Sequence, residues 1–355
     1  MRFTIRWFRS VCEPLFVLLC AALPILMVAG CASVQGVDPS GKFEIGLIGD
    51  QHYDAESTAK FPNIMAEMSR ADLAFVVHVG DIGSPTYNSC KDETYYQRRD
   101  EFNQSRHPLV FTPGDNEWAD CHQAGIPDSL ERLSKVREVF IQGERSLGQR
   151  TMPLARQSND PRYAKFRENA RWTRGGVVFV TLNIPGSNNN LGRTPEMDAE
   201  YAERNAADIE WMRQAFQYAK QNDSGAIMIL IQANPRFEET WPASRRGAFG
   251  IAPPPKKPSG YTEFLQALQR EVLDYDKPVV LVHGDTHYFR VDRPMILDDK
   301  SGAGRGRGVE NFTRVELFGY PEAHWVRATV DPADPNVFSF RPGIVKENLS
   351  DFRAK

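Results

Sequence analysis

Leu73-Ala-Phe-Val-Val-His-Val-Gly-Asp81 is a nearly continuous apolar run that ends in a Gly-Asp pair. Runs this apolar are typical of strands that are buried on both faces, as in sheets covered by helices. The same pattern, an apolar run followed by a polar residue, occurs four more times in the chain and ends at Asp50, Asp115, Gln232 and Asp285. The sequence therefore predicts several buried strands with polar tips.

Between these runs, apolar residues recur at the spacing of helices, for example at Phe61, Ile64 and Met68. Thr194-Pro195 predicts the start of a long helix, because proline is tolerated in a first turn. The 355 residues are 41% hydrophobic and 25% charged, an ordinary globular composition. A net charge of −3 disfavours a non-specific nucleic-acid binder. We expect a single α/β domain over residues 42–355.

The polar tips point to a metal site. The carboxyl ends of strands in open α/β sheets line the ligand crevice, so we expect the five tips to lie on one rim. His52 and His287 each stand two residues after an aspartate, and alternate residues of an extended segment point the same way. Clustered carboxylates repel one another, and divalent cations offset that charge. The predicted metal ligands are Asp50, His52, Asp81, Asp115, Gln232, Asp285 and His287.

The order of these motifs resembles the calcineurin-like metallophosphoesterase family. The matching segments, all between Asp50 and His287, are Asp50-x-His52, Gly80-Asp81, Gly114-Asp115-Asn116-Glu117 and Gly284-Asp285-Thr-His287. The resemblance implies a four-layer α/β/β/α sandwich with two mixed sheets, and two metal ions that together hydrolyse phosphate esters. By position, it places Asp50, His52, Asp81 and His287 at the first metal, with Asp81 bridging to the second.

The departures from the family pattern fall mainly on the second metal. Aspartates replace an Asn and a His of the pattern at Asp115 and Asp285, and Gln232 or Asn234 takes the place of its lone His. Oxygen ligands suit hard ions such as Mn²⁺ or Mg²⁺, so among Mn, Fe, Mg and Zn we expect an oxygen-rich, weaker second site. A register in which Asn116, not Asp115, contacts the metal stays open.

The family's catalytic histidine is Asn116 here, and an amide cannot protonate a leaving group. His122 and His283 are the nearest histidines that could replace it, and both can also be explained as ordinary structural residues. Without a replacement, substrates with good leaving groups, such as anhydrides or aryl esters, should be favoured. The candidate catalytic residues are therefore Asn116, His122 and His283.

The first residues predict export. Arg2, Arg6 and Arg9 precede an apolar run, and Val28-Ala-Gly-Cys31 resembles the lipobox of bacterial lipoproteins. This resemblance implies a signal peptide over residues 1–30, a lipid on Cys31 and a linker over residues 31–41. The protein would then face the periplasm and be anchored to the outer membrane. The alternatives are an uncleaved signal anchor and a plain signal peptide of a secreted or periplasmic protein. Cys90 and Cys121 would then lie in an oxidising compartment, and we expect them to form a disulfide.

Two functions follow from these patterns. The first is a metal-dependent hydrolase of small phosphate esters or anhydrides, with no nucleic-acid partner and no evident obligate protein partner. The second is a catalytically inactive lipoprotein of the same fold that acts as a binding or scaffold module. Replacement of two neutral or basic ligands by aspartate favours the first, because decaying sites usually lose carboxylates.

Overall fold

In the computed structural model, residues 41–240, 258–297 and 307–349 are described. The described residues all belong to one compact unit. The predicted signal peptide, Cys31 and most of the predicted linker lie outside the described residues. No helix in the described ranges is both long and apolar enough to cross a membrane.

Helices and strands alternate along the first two thirds of the chain, and strands dominate after residue 279. The helices are α1 (Ala55–Arg70), α2 (Asp92–Asn103), α3 (Ser129–Phe140), the one-turn α4 (Gly186–Asn189), α5 (Pro195–Gln221), the one-turn α6 (Phe237–Thr240) and α7 (Thr262–Tyr275). The predicted start of the long helix α5 is confirmed: the Thr194 side chain accepts a hydrogen bond from the Met197 backbone N–H, and Pro195 occupies the first turn.

One sheet has five strands in the order β14-β13-β1-β2-β3. The strands β1, β2 and β3 are parallel to one another, whereas β13 pairs antiparallel with both β1 and β14. Numbered in chain order, they are β1 (Phe43–Ile48), β2 (Leu73–His78), β3 (Leu109–Phe111), β13 (Trp325–Val330) and β14 (Phe338–Gly343).

The other large sheet has seven strands, in the order β4-β5-β6-β7-β8-β12-β9. Its centre is parallel from β6 through β7 and β8 to β12, and its edges are antiparallel. Its strands are β4 (Ala155–Arg156), β5 (Ala170–Arg174), β6 (Val177–Thr181), β7 (Ala226–Leu230), β8 (Val279–His283), β9 (Arg290–Asp292) and β12 (Phe312–Glu316); a separate two-stranded ribbon joins β10 (Ile296–Leu297) to β11 (Arg307–Gly308).

Three apolar cores stack the sheets and helices into four layers. Alternate strand residues such as Phe75 and Leu230 meet between the two sheets. Val76, on the other face of β2, packs with residues of α1, α2 and α3, and Ile229, on the other face of β7, packs with residues of α5 and α7. The predicted α/β/β/α sandwich with two mixed sheets is confirmed, because both faces of the central strands are covered.

The predicted disulfide is also present. Cys90 and Cys121 are bonded, and their Cα atoms are 5.7 Å apart. The bridge joins the segment before α2 to the 3-10 turn Cys121–Ala124, which follows β3. It therefore tethers the polypeptide that leaves the carboxyl end of the five-stranded sheet.

Candidate active site

The carboxyl ends of β1, β2 and β3 meet those of β7 and β8 at one edge of the sandwich. The five polar tips predicted from the sequence follow these strands, and a hydrogen bond joins two of them across the two sheets. The backbone N–H of Asp285 donates to Asp50 Oδ1 at 3.0 Å. A Cβ placed on Gly186 would lie 2.7 Å from both Asp115 Oδ2 and Asp285 Oδ1, so these two oxygens face one point.

Two glycines of the Gly-Asp pairs make room for carboxylates. A side chain on Gly284 would collide with the carboxylate of Asp50, and one on Gly114 would collide with Oδ1 of Asp81. The glycine of one motif therefore allows the aspartate of another to approach its backbone. A tight turn would be one reason for glycine before aspartate at these strand ends. The close approach of a carboxylate is a stronger reason, because it leaves no room for a Cβ.

The backbone at this edge is strained. Asp50, His52, Asp81, Asp285 and His287 all have left-handed backbone angles, with φ between 54° and 77°. Each such non-glycine residue costs about 1–3 kcal/mol and persists only where the surroundings fix it. Strain of this kind concentrates at functional sites, and the sequence pattern alone did not reveal it.

The site is acidic and largely buried. Burial is the main cause that holds the pKa of Asp81 well above its usual value, and the negative charges of nearby carboxylates, first that of Asp115, add to it. Burial and the charge of Asp285 do the same for Asp115. Burial and the charge of Asp50 raise the pKa of Asp285 to about 6. A bound cation would reverse this penalty, because it offsets the mutual repulsion.

The two histidines of the predicted ligand set lie in different places. His287 Nε2 is 3.5 Å from Asp50 Oδ1, and its Nδ1 is 2.7 Å from the backbone oxygen of Tyr320. Burial acts to lower the His287 pKa, but the hydrogen bond and charge of Asp50 outweigh it and the pKa is raised. His287 thus belongs to the acidic cluster.

His52 is placed away from the cluster. Its Nε2 lies 3.2 Å from Glu101 Oε2, and its ring packs against Phe61 with the ring centres 4.2 Å apart. Burial lowers its pKa to about 4, and the contact with Glu101 opposes this shift. The ligand role predicted for His52 has no support from this placement, since its imidazole packs beneath α1 and α2.

Tyr53, which the sequence patterns did not single out, occupies the cluster instead. Its hydroxyl donates to Asp81 Oδ2 at 2.5 Å and lies 3.3 Å from His287 Nε2. The Asn116 side-chain amide donates to that hydroxyl at 2.8 Å and to the Gly83 backbone oxygen at 2.9 Å. The signal for Tyr53 in the sequence is its position directly after Asp-x-His.

The two candidate proton donors, His283 and His122, lie in different environments. His283 is fully buried, its Nδ1 lies 2.8 Å from Gly284 O, and burial lowers its pKa to about 3. Its imidazole is therefore neutral, which gives a general-acid role no support. His122 is exposed and lines a cavity of about 540 Å³ with Asp120, Ser187 and Arg193, among others.

The amide candidates at the end of β7 have different surroundings. Gln232 Oε1 accepts a hydrogen bond from the Gly186 N–H at 2.6 Å, and Gln232 is fully buried within the cluster. Asn234 bonds the side chain of Thr286 at 3.0 Å, and its backbone N–H donates to Asp285 Oδ2 at 3.0 Å. A Cβ placed on Gly114 would collide with Asp81 Oδ1 and lie 2.8 Å from Gln232 Cγ, so Gln232 lies beside Asp81, whereas Asn234 orients Asp285.

The segment after β6, called the Ser187 loop below, contains the left-handed turn α4 and Asn190, and it brings a hydroxyl to the site. Ser187 hydrogen-bonds Asp115 and lines the cavity beside His122, so it connects the acidic cluster to that cavity. Ser187, Asn188, Asn189 and Asn190 all have left-handed backbone angles, with φ between 48° and 63°. Four such residues in succession are costly, because only glycine adopts this conformation freely.

A buried arginine holds this loop. Arg204 of α5 has no exposed surface, and its Nη1 donates to Asn183 O and to Asn189 Oδ1, both at 2.7 Å. Its Nε bonds Glu200 at 2.6 Å, and its guanidinium lies over the Trp118 ring, 5.4 Å from the ring centre. The strained loop is therefore fixed by a charged network inside the protein.

The side chains of the acidic cluster have the chemistry of cation ligands, but they are not spaced as such ligands are. Within the part of the chain that the structure describes, no three His, Cys, Asp or Glu side chains are arranged to hold a metal ion together. Among the same residues, the fully buried Asp50 Oδ2 lacks a hydrogen-bond partner. An unpartnered buried carboxylate oxygen among other carboxylates is the chemistry that a hard cation satisfies.

Fold and site together define an α/β/β/α sandwich protein with an acidic cleft where the two sheets end. The sequence matches no protein-family model, and no curated protein matches it.

The solved structures that resemble this chain include two that superpose over most of its length. TT1561 of Thermus thermophilus superposes with a TM-score of 0.45 and 8% identity, over 86% of this chain and 99% of that one. The 5'-nucleotidase from Candida albicans superposes with a TM-score of 0.42 and 13% identity, over 84% of this chain and half of that one. Both similarities are too low to transfer an activity.

Proposed function

We propose that the protein is a metal-dependent hydrolase of phosphate esters or anhydrides, of the calcineurin-like metallophosphoesterase type. The observation that carries this proposal is the convergence of Asp50, Asp81, Asp115 and Asp285 from two sheets onto one strained, buried edge. Carboxylates are expensive to bury together unless a cation accompanies them. The motif order along the sequence supports the same assignment.

The residues would divide between two ions. Asp50, Asp81 and His287 would hold the first, and Asp115, Gln232 and Asp285 the second, with Asp81 between them. When bound, two divalent cations neutralise phosphoryl charge and make water nucleophilic at neutral pH. The second group is rich in oxygen, which favours Mn²⁺ or Mg²⁺ over Zn²⁺ there.

The cavity beside Asp115 would take the rest of the substrate. Arg193 lines it and donates to His122 Nδ1 at 2.8 Å and to Asp120 Oδ1 at 3.2 Å. Ser187 stands where this cavity meets the acidic cluster. These groups would orient a phosphorylated substrate so that its ester bond faces the cluster.

The amide at Asn116 limits proton transfer to the leaving group. General acid catalysis contributes about 10²–10⁴-fold in rate, and an amide cannot supply it. We therefore expect aryl esters and phosphoanhydrides to react much faster than alkyl monoesters. An alkyl ester that reacts as fast as an aryl ester would show that another residue donates the proton.

The test is hydrolysis of p-nitrophenyl phosphate, its bis-ester and nucleotide polyphosphates with added Mn²⁺. Asp81→Asn should abolish turnover on each, because Asp81 is central to the cluster. Asp128→Asn is the matched control, since Asp128 caps α3 away from the site and its loss should leave turnover unchanged. Equal rates for the wild-type protein and Asp81→Asn on every compound would refute the proposal.

A non-catalytic binding module is the second candidate. The placement of His52 outside the cluster favours it, as does the pairing of Asn116 with the Tyr53 hydroxyl. A protein of this kind would bind phosphorylated compounds without turning them over. Calorimetric binding of a nucleotide polyphosphate, together with no hydrolysis at any metal concentration, would favour this function over the first.

We also propose that the protein faces the periplasm, anchored to the outer membrane by a lipid on Cys31. The disulfide between Cys90 and Cys121 supports an oxidising compartment. Mass spectrometry of the membrane fraction tests the anchor: a mature chain that starts at a lipid-modified Cys31 is expected. A soluble chain that retains residues 1–30 would contradict it.

A further inference from the structure

The environment of the Tyr53 hydroxyl differs from that of an ordinary buried tyrosine. It contacts a carboxylate, an imidazole and an amide, which belong to Asp81, His287 and Asn116. Two other rings also hold the Tyr53 ring. It stacks on Tyr320, with the ring centres 5.5 Å apart, and it makes an edge contact with His287, with the ring centres 4.9 Å apart. The phenol oxygen is thus fixed inside the acidic cluster, between residues from three segments of the chain.

The spacing of the polar atoms around Tyr53 suits a shared cation. Tyr53 Oη lies 2.5 Å from Asp81 Oδ2 and 3.3 Å from His287 Nε2, and that nitrogen lies 3.5 Å from Asp50 Oδ1. Neighbouring ligands of one ion, each bonded at about 2.1 Å and at right angles, lie about 3 Å apart. The three separations, between 2.5 and 3.5 Å, lie on either side of that value, so small side-chain shifts would bring the four atoms to it.

The histidine two residues after Asp50 does not take part in this chain. His52 is 1% exposed, its Nε2 lies 3.2 Å from Glu101 Oε2, and its ring packs against Phe61. With His52 elsewhere, Asp50, Asp81 and His287 alone do not make a metal-binding group in the described residues. Tyr53 places an oxygen within 3.3 Å of two of these three residues, Asp81 and His287.

We propose that Tyr53, and not His52, is the fourth protein ligand of the first metal ion, together with Asp50, Asp81 and His287. This inference rests on the metal dependence in the proposed function. It changes the chemistry of the site, since three oxygen donors and one imidazole replace two oxygens and two imidazoles. A phenol oxygen is a hard donor, so the site should prefer manganese or iron to zinc.

Ferric iron is the probe for this ligand, because a phenolate bound to Fe³⁺ absorbs visible light, whereas carboxylate and imidazole complexes remain nearly colourless. The purified full chain is loaded with Fe³⁺ under air, and its iron content and visible spectrum are recorded. We expect one iron with a visible band in the wild-type protein. Tyr53→Phe should lose the band and bind the ion at least about 10-fold more weakly.

Tyr320→Phe is the matched control. It removes a hydroxyl from the ring that stacks on Tyr53, but that hydroxyl bonds Asp54 and not the acidic cluster. It should keep both the iron and the band. His52→Gln should also keep the band, because His52 contacts Glu101 rather than the ion. Circular dichroism and an intact disulfide show that each variant is folded.

The inference is overturned if folded Tyr53→Phe binds iron with wild-type affinity or keeps the band, or if the wild-type protein binds iron without one. Loss of the band in folded His52→Gln would also overturn it. These results are independent of hydrolysis on the p-nitrophenyl and nucleotide substrates. A coloured iron protein without phosphatase activity refutes the proposed function alone, and an active, colourless one refutes only the role of Tyr53.

Discussion

Arg204→Met tests whether a buried charge maintains the strained loop at the site. The substitution keeps most of the side-chain volume but removes the guanidinium, which bonds Asn183, Asn189 and Glu200 and lies 3.5 Å from Asp208. Loss of one partner of a buried ion pair costs about 3–5 kcal/mol, because the carboxylate of Glu200, whose side chain is 13% exposed, would stay largely buried without compensation. We expect the free energy of unfolding to fall by that amount.

The loop itself should then change. Four consecutive left-handed residues, numbered 187–190, cost about 1–2 kcal/mol each, or roughly 4–8 kcal/mol together. Asparagine tolerates the conformation better than most residues, which favours the lower end of about 4 kcal/mol, so the strain is comparable to the stabilisation that Arg204 provides. Without the guanidinium, the loop should therefore relax and withdraw Ser187 from Asp115.

Urea denaturation measures the first effect, and hydrogen exchange of the backbone amides of residues 186–190 measures the second. Arg213→Met is the matched control, since Arg213 lies on the same helix, is half exposed and only approaches Glu271 at 4.0 Å. That control should cost less than about 1 kcal/mol. A loss below about 1 kcal/mol for Arg204→Met, or unchanged exchange in the loop, would refute the reasoning.

Three further predictions concern the bridge, a buried acid and a glycine. Breaking the Cys90–Cys121 bridge by a double serine substitution should cost about 4 kcal/mol, as expected for cysteines 31 residues apart, in urea denaturation. Burial, opposed by Arg204, raises the pKa of Asp208 to about 8 from 3.8, so the folded protein holds a proton that the unfolded chain releases. Stability should therefore fall as the pH rises from about 4 to about 8, and Asp208→Asn should flatten that fall. Gly284→Ala should displace the Asp50 carboxylate and weaken Mn²⁺ binding at least about 10-fold in calorimetry.

Each of these has a matched comparison. Reductant should destabilise the wild-type protein but not the double serine variant, and equal effects would contradict the bridge prediction. An Asp208→Asn protein with the wild-type pH slope would contradict the second. Gly225→Ala is the control for Gly284→Ala, because a Cβ there meets nothing within 4 Å, and equal Mn²⁺ affinity in the two variants would contradict the third.

The strands were predictable because parallel strands in this fold are buried on both faces and appear as unbroken apolar runs. Their tips were predictable for the same reason, since a strand end is where an apolar run meets Gly-Asp. The helix α2 was not predicted. Its sequence, Asp-Glu-Thr-Tyr-Tyr-Gln-Arg-Arg-Asp-Glu-Phe-Asn, buries Tyr95 and Phe102 but also Arg98, so no apolar stripe marks it.

The expected place of His52 rested on an extended backbone. Alternate side chains point the same way only in a strand. Asp50 and His52 have φ values of 54° and 68°, so the chain turns at each of them and the imidazole swings under α1. The next residue, Tyr53, then enters the cluster. No periodicity in the sequence encodes this turn, because aspartate and histidine adopt it only under tertiary constraint.

Left-handed backbone angles are concentrated at the strand tips and in the loop at residues 187–190, although these segments are far apart in the sequence. Of the 13 left-handed non-glycine residues in the described ranges, nine belong to the strand tips and to the loop at residues 187–190. At about 1–3 kcal/mol each, they store on the order of 10 kcal/mol, which is comparable to the whole stability of a typical domain. A sequence selected for stability alone would place glycine at these positions, as it does at Gly125 and Gly143, where the left-handed backbone faces open space. Side chains that bind a ligand must instead be carried on that backbone. We therefore expect the edge, including the Ser187 loop, to serve the proposed function.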